Sequence, residues 1–372
     1  MNNEREKMLI LVGGGHTHRF LITSMIREKL ENYNVLLISN YDKQFYSGMA
    51  SAYMENIYSE DDFSVDLRRL CNKAGISFIE EEVLSVDPTK KTLITSNNKT
   101  YEFDLISFDT GSDTAGKKIS GAKEFSKSVK PLQNLKVIKN IIKKSVNEKL
   151  GIVVIGAGAA GIEMSIAMRK FCDKEKNKNK ISIIDSNNEI MDGYDKKIKR
   201  IVHKELNKNE IELFTNERVN CIKKDTIIMD SGKEINYGFL MLASGSVAHD
   251  LYKKSKFEVD ERGYMIVNSY LQNEKYPFVF GAGDCISIKE YDYVKKVGVY
   301  AIKEAPILWE NIKRAARNKE LKKYVAQKEY LAIVSLGNKR GALSYHGFVL
   351  SGKIAWNLKD YIDRTFINNY KK

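Results

Sequence analysis

The sequence predicts an α/β chain made of two doubly wound, parallel-sheet lobes and a small C-terminal region. Three observations predict it. An apolar run enters a glycine-rich turn twice, at MLILVGGGHTH (Met8 to His18) and at GIVVIGAGAAGIE (Gly151 to Glu163). After each turn the pattern repeats in the same order: helix, strand, a short alternating meander, another strand and a turn of small residues. That last turn is Thr110-Gly111-Ser112 in the first half and Ser244-Gly245-Ser246 in the second. A third strand-like stretch then runs into Gly281-Ala282-Gly283-Asp284 ahead of a long helix. A shared order argues for duplicated lobes more strongly than either turn does alone.

Taken along the chain, residues 8–12 read as a strand, 16–30 as a helix and 35–39 as a second strand, a βαβ unit. Ser47-Gly48-Met49 falls in the loop that follows, and 65–74 reads as a helix. Residues 83–86, 92–95 and 101–103 alternate like an antiparallel meander, and 105–108 is the strand before the small-residue turn. The mixed polar stretch 113–130 is the expected crossing to the second lobe. That lobe opens with a helix at 131–146 and continues with strand 152–155, helix 159–172 and strand 181–184. Short strands near 211–213, 218–222 and 225–229 are expected to repeat the meander, before strand 239–243. Beyond 246, residues 264–267 and 278–280 are strand-like, and a helix spans 299 to about 316. Residues 317–372 form a tail with two short strands and a final helix. The expected domains are 1–128 (first lobe), 129–245 (second lobe), 246–316 (return to the first lobe) and 317–372.

With 372 residues, 43% of them apolar and 29% charged, the composition is that of a soluble globular protein of two to three domains. The apolar run after MNNEREK is too short for a signal peptide, and no run approaches the roughly 18–20 apolar residues of a bilayer span. The expected location is the cytoplasm, with a peripheral place on the inner face of the cell membrane as the extension of that reading. Cys71, Cys172, Cys221 and Cys285 show no CxxC or metal-ligand spacing, so disulfide staples, zinc, iron–sulfur clusters and other metal sites are not expected. The net charge of +13 comes from lysines spread along the chain, densest at 174–180 and 196–204. Solvated helix faces and one loop account for them better than nucleic-acid binding does.

A side-chain-free turn lets the backbone approach a pyrophosphate, whose charge rests on helix-start N–H groups. Two such turns suggest two nucleotides held face to face, the arrangement in which a flavin takes a hydride from a nicotinamide. In the first turn, Gly13, Gly14, Gly15 and His16 are the candidate contacts. His18 stands where a third glycine is usual, which implies a wider helix–strand crossing or a local hydrogen bond. Ser39 stands where a carboxylate would hold a ribose diol, which weakens the case for NAD at this site. His16 and His18 have no carboxylate or cysteine beside them in sequence, so packing is favoured over metal ligation. The second turn keeps all three glycines, Gly156, Gly158 and Gly161, with Ala159 at the helix start and Asp185 at the next strand end. A carboxylate there accepts ribose hydroxyls and repels the extra phosphate of NADPH. At ~4 Å the repulsion is about 1 kcal/mol in water and about 4 at a partly shielded site, a roughly fivefold to several-hundredfold preference for NADH. Glu163, placed in the first turn of this helix, is either a helix-dipole partner or a wall of the nicotinamide pocket, where it is the candidate catalytic residue. Gly283 and Asp284 can set a carboxylate against the ribityl chain of a flavin.

These elements resemble the two-dinucleotide-binding flavoproteins of glutathione-reductase type. Within them the chain is similar to type II NADH dehydrogenases and sulfide:quinone oxidoreductases, and most to the dehydrogenase-like module fused to selenophosphate synthetases. The resemblance rests on LVGGGHTH, Tyr46-Ser47-Gly48-Met49, Val129-Lys130-Pro131, Gly298-Val299-Tyr300-Ala301, Trp356-Asn357-Leu358-Lys359-Asp360 and Ile362-Asp363-Arg364. It implies FAD on the first lobe, with Gly13 and Gly15 at the pyrophosphate, Ser39 at the adenosine ribose and Val83 at the adenine. Tyr46, Ser47, Gly48, Met49, Thr110 and Gly111 would sit near the isoalloxazine, Asp284 on the ribityl chain, and Lys130 among the cofactor contacts. NADH would lie on the second lobe, with Glu163 and Gly245 near the nicotinamide. The implied activity is an FAD-dependent NADH dehydrogenase that passes electrons to a quinone or other small acceptor. The alternatives are a sulfide or selenium-species oxidoreductase and an NADH-responsive binding module. The chain departs from these families in three ways. No redox dithiol follows the first βαβ unit, the spacing of Cys172 and Cys285 does not match sulfide oxidoreductases, and Val299 and Lys303 or Glu304 stand where paired glutamines line a quinone pocket. In the tail, Ile354, Leu358, Tyr361, Ile362, Thr365 and Phe366 form one helix face, with Trp356 and Ile367 on the other side. That helix is expected to dock on the first lobe or on a homodimer partner, or to rest on a membrane.

Overall fold

Uninterrupted apolar strands require burial on both faces, which a parallel sheet covered by helices supplies. The computed structural model describes residues 6–144 and 151–371 and places the two fingerprint strands at the centre of two such sheets. The first is parallel throughout, in the order 279–281, 105–108, 7–12, 33–39, 77–80. The second is also parallel, in the order 127–128, 239–242, 152–155, 181–184, 211–214. Four strands of each sheet therefore follow one order, and the fifth occupies the same edge but comes from downstream in the first lobe and from upstream in the second. In both, the glycine turn leaves the central strand where the order reverses, the position of the ligand crevice in open α/β sheets. Leu9, Ile10 and Leu11 in one lobe and Val154, Ile183 and Ile184 in the other are fully buried.

Helix α1 (His16–Met25) follows the first turn and is shorter than the expected 16–30. The hydroxyls of Thr23 and Ser24 donate to the carbonyls of Arg19 and Phe20, local bonds that compete with helix continuation. Helix α2 (Leu67–Ala74) starts two residues later than expected. Ser64–Asp66 is a strand paired with Lys43–Phe45, and the Asp66 carboxylate caps the Arg69 N–H at 2.8 Å. Strand Lys127–Ser128 brings the second sheet's start ahead of the expected boundary at 129. The helix expected at 131–146 begins at Asn134 and runs to Lys144, its last two expected residues lying outside the described ones.

Helix α3 (Ala159–Lys174) follows the second turn, and helix α4 (Lys196–Lys208) carries the second lysine run. Helix α4 buries Ile198, Val202, Glu205 and Leu206 along one face and leaves lysines on the other. Strand 211–214 belongs to the parallel sheet, not to the meander as expected. The meander consists of 219–222, 226–229 and the largely polar strand 234–236, which the sequence pattern missed. Its counterpart in the first lobe is 83–87, 92–95 and 100–102. The two chain crossings pair with each other, Asp113–Thr114 antiparallel to Ser246–Val247.

Helix α5 (Gly298–Ala316) packs on α1. The tail then forms three antiparallel strands, 332–335, 341–345 and 348–352, one more than expected, followed by helix α6 (Lys353–Asn368). The docked face of α6 is largely the opposite of the expected one, of which Phe366 packs inward, its ring 4.8 Å from that of Tyr46. Ala355, Trp356, Lys359, Asp363 and Ile367 are buried, while Ile354 and Tyr361 are 70% and 69% exposed and Leu358 and Ile362 are also exposed.

Candidate functional site

The first glycine turn is a cradle that side chains cannot enter. Gly13 has φ +89°, and a Cβ there or at Gly15 would collide with Asp109, one at Gly14 with Leu67. Gly15 also caps α1, whose first N–H groups open toward the turn. A cavity of about 900 Å³ begins here, and Gly13, Gly14, Gly15, Ser39, Val83, Thr110 and Gly111 all line it. The structure thus brings these predicted residues together. Ser39 is buried and donates to the Tyr41 carbonyl at 3.0 Å. Gln44, Glu81 and Asp109 line the same cavity and were missed by the sequence reading. For Asp109 there was a signal: a charged residue wedged between a buried strand and a small-residue turn.

His18 settles the question of the missing third glycine. It is fully buried, with Nδ1 2.6 Å from the Gly13 carbonyl and Nε2 2.9 Å from the Ser107 hydroxyl. A carbonyl only accepts, so Nδ1–H is the donor and the neutral Nε2 accepts from Ser107. Burial pushes this imidazole down to about 4, which keeps it neutral. His18 therefore ties the turn to strand 105–108 through local hydrogen bonds.

A second cluster surrounds Gly283 and Asp284. Lys130 donates to the Ser112 hydroxyl at 2.8 Å and pairs with the Asp284 carboxylate at 3.3 Å. Gly283, at φ +75°, donates its N–H to the Glu304 carboxylate at 2.6 Å. Asp109 reaches the same turn from the other side and accepts the His18 N–H at 2.9 Å. Burial pushes the Glu304 carboxyl up to about 7 and the Asp109 carboxyl up to about 6.

A third cluster joins Tyr46, Ser47, Gly48 and Met49 to the tail. Residues 47–49 form a single tight turn, and the Lys359 ammonium donates to the Gly48 carbonyl while pairing with Asp363. His16 stands among aromatic rings, 5.3 Å from Tyr46 and 5.4 Å from Phe366. Its Nδ1 is hydrogen-bonded to the buried guanidinium of Arg19. That is the packing role, and this cluster and Lys130 and Asp284 stand apart from the lining of the main cavity.

The second glycine turn is built like the first but faces outward. Gly156 has φ +115° and packs against the Ala243 carbonyl, and a Cβ on Gly161 would collide with the Gly156 carbonyl. Gly158 and Gly245 have open space where a Cβ would point, and Ala159 begins α3. Asp185 stands at its strand end beside the turn, its carboxylate accepting N–H groups of Ala157 and, at 2.7 Å, of Asn187. Glu163 lies in the second turn of α3, not the first, so the helix-dipole role does not hold. Its Oε1 accepts the Ser335 N–H at 2.7 Å, across from the tail.

Cys285 is buried, its thiol donating to the Ala282 carbonyl at 3.2 Å. Burial pushes the thiols of Cys285 and Cys172 up to about 11, far from the thiolate form that nucleophilic chemistry needs.

A family model described as "Pyridine nucleotide-disulphide oxidoreductase" matches residues 7–314. The chain is 24% identical over 389 residues to a "Probable NADH dehydrogenase" of Dictyostelium discoideum, covering 95% of this chain and 84% of the relative. It is 24% identical to ferroptosis suppressor protein 1 of Taeniopygia guttata, over 74% of this chain and 73% of that protein. Its fold is shared with the sulfide:quinone oxidoreductase of Aquifex aeolicus, at TM-score 0.82 and 22% identity over 98% of this chain and 91% of that one. NDH2 from Plasmodium falciparum in complex with NADH matches at TM-score 0.83 and 17% identity, over 99% and 98% of the two chains.

Proposed function

Because the chain belongs to the pyridine nucleotide-disulphide oxidoreductase family, we propose that it is an FAD-dependent NADH dehydrogenase that passes electrons to a quinone or similar small acceptor. One observation carries this reading: two glycine turns of one design stand at equivalent places in two parallel sheets whose four main strands follow one order. The first opens into a long cavity that suits an extended dinucleotide, and the second faces open space that suits a nucleotide which comes and goes. A relative named as a probable NADH dehydrogenase and one named as an NAD(P)H-ubiquinone oxidoreductase support the same assignment.

In this reading residues 1–128 and 246–316 form the flavin lobe and 129–245 the nicotinamide lobe. The flavin supplies the hydride acceptor and the store for two electrons. The protein's part is to bind and orient. Backbone N–H groups at Gly13, Gly14 and Gly15 hold one pyrophosphate, and Val83 and Ser39 enclose the adenosine. Lys130 fixes the Asp284 carboxylate toward the ribityl chain. The turn at Ser47–Met49 is locked by Lys359, which shapes the wall of the flavin ring site and keeps water out. On the second lobe, Gly156, Gly158 and Ala159 hold the other pyrophosphate, Asp185 the ribose, and Gly245 and Glu163 the nicotinamide end. The buried, protonated thiols favour hydride entry without a sulfur relay.

Helix α6 supports a peripheral membrane contact, with a homodimer as the competing use of the same face. Ile354, Leu358, Tyr361 and Ile362 project outward, whereas among the described residues no helix is long and apolar enough to cross a membrane. The cytoplasmic side of a cell membrane is the location that fits.

The test is direct. The purified protein is expected to be yellow, to release about one FAD per chain on denaturation, and to bleach under anaerobic NADH and recover its colour with a soluble quinone. A protein that stays colourless after FAD reconstitution would overturn the proposal.

A further inference from the structure

Beside the first glycine turn, packing accounts for neither a buried charge nor one imidazole nitrogen. Arg19, one turn into α1, is 1% exposed. Its Nε donates to the Gly15 carbonyl at 3.3 Å, and one terminal nitrogen donates to Nδ1 of His16. The other terminal nitrogen is buried with no hydrogen-bond partner. Among the described residues the guanidinium forms no ion pair. What offsets its charge is weaker: the rings of Tyr370 and Phe366, 5.1 and 5.9 Å away, and the field of Asp109. A buried cation in this state costs stability until an anion joins it.

The same bond fixes His16. A guanidinium only donates, so Nδ1 is the acceptor and the ring proton stands on Nε2. Burial, Arg19 and Lys130 together hold this imidazole well below its usual value, so it stays neutral in that tautomer. Nε2–H has no partner among the described residues and faces the start of α5, where a Cβ on Gly298 would stand 3.2 Å from it. Thr17 ties the two helices together there, its hydroxyl donating to the Ala301 carbonyl at 3.2 Å. Neither α1 nor α5 has a side-chain cap, so two sets of helix-start N–H groups meet near one free donor and one buried cation. Each of these features selects an anion.

We propose that His16 donates its Nε2–H to the flavin-side phosphate of the FAD pyrophosphate, with Arg19 as the positioning residue that holds the tautomer and supplies the charge. The proposal rests on the flavin reading given above and assigns a side-chain contact where that reading has only backbone N–H groups. The choice of phosphate follows from place. His16 directly follows the glycine turn and stands within the field of Lys130, the residue that fixes Asp284 toward the ribityl chain. A phenyl ring would pack between Tyr46 and Phe366 as the imidazole does, but it would carry no donor.

The flavin-stripped full chain is to be titrated with FAD, FMN and AMP by calorimetry, for the wild type and three variants. FMN carries the flavin-side phosphate alone, and AMP the adenosine-side phosphate alone. His16→Phe is expected to weaken FAD and FMN by roughly ten- to hundredfold and AMP by less than about twofold. His16→Gln sets an amide N–H near the place of Nε2 and is expected to recover most of that loss. Arg19→Met is expected to weaken FMN about as much as His16→Phe does. Its apoprotein is expected to melt no lower than the wild-type apoprotein, because a buried charge without an ion pair has been removed. Equal FMN affinities in the wild type and His16→Phe would overturn the contact. Equal losses in His16→Phe and His16→Gln would assign the effect to ring packing and overturn the donor. Equal losses of FMN and AMP would place the effect on the turn as a whole and overturn the choice of phosphate. An Arg19→Met apoprotein melting well below wild type would show the guanidinium satisfied without an anion and overturn its role. Melting curves on the same samples report folding, and Arg19→Met alone carries the test where a His16 variant does not fold. A wild type that binds neither FAD nor FMN would instead overturn the flavin reading itself.

Discussion

Gly283 is gripped by two carboxyls that hold protons well above their usual range, Glu304 through its N–H and Asp109 from the opposite side. Burial is the main cause for both; Lys296 and Arg19 draw them partly back down. The folded chain binds these protons more tightly than the unfolded chain does, so their contribution to stability is full below the unfolded values. It is lost as pH rises through about 6 for Asp109 and about 7 for Glu304. Glu304→Gln keeps an acceptor for the Gly283 N–H and removes one titration. Its Tm is expected to fall less steeply between pH 5 and 8 than that of the wild type, and to exceed it by a few degrees at pH 8. Parallel Tm profiles for the two proteins would place the titration elsewhere. On the second lobe, Asp185→Asn keeps an acceptor for the Ala157 N–H and removes the charge. The ratio of kcat/KM for NADH over NADPH is expected to drop by roughly fivefold or more; an unchanged ratio would pass control of the site to the neighbouring lysines. The glycines and Asp185 were legible in the sequence because their spacing encodes a backbone shape. The joint hold of Asp109 and Glu304 on Gly283 was not, because a lone buried carboxylate has no periodic signature; only the place of Asp109 between a buried strand and a small-residue turn marked it out.

At the scale of elements, α6 shows how a correct periodicity can still mislead about direction. The apolar stripe was legible as a helix face, yet the helix docks by the other side. Lys359 and Asp363 pair with each other, with the Gly48 carbonyl and with the Tyr46 hydroxyl, so they are buried at modest cost although they count as polar in any pattern. Trp356 anchors the same face, its ring 6.3 Å from that of Tyr58. Trp356→Ala is accordingly expected to cost about 3–5 kcal/mol in chemical denaturation. Tyr361→Ser, on the open face, is expected to stay within about 0.5 kcal/mol of wild type. Reversed magnitudes would mean that the stripe, not Trp356, faces the protein. Helix α1 gives a milder version of the same lesson, since its length was overread where Thr23 and Ser24 turn back on its carbonyls.

For the whole molecule, the duplicated order of elements was legible because each lobe repeats the full series from glycine turn to small-residue turn. The fifth strand of the second sheet was not, since two residues, Lys127 and Ser128, are too few to show a period. That strand and its counterpart in the first lobe enter from opposite directions along the chain. The second sheet takes its fifth strand from upstream and has all five by residue 242, whereas the first waits for 279–281 from downstream. On a ribosome the lobe begun first is therefore finished last. Strand 105–108, buried on both faces in the finished fold, stays an open edge for roughly 10–35 s of synthesis at ordinary rates. During that interval the second lobe completes its own sheet in the gap between the two halves of the first. Its compactness shortens the distance that residues 279–281 must search to find their place, so the younger lobe works as a spacer that brings the older one's last strand home.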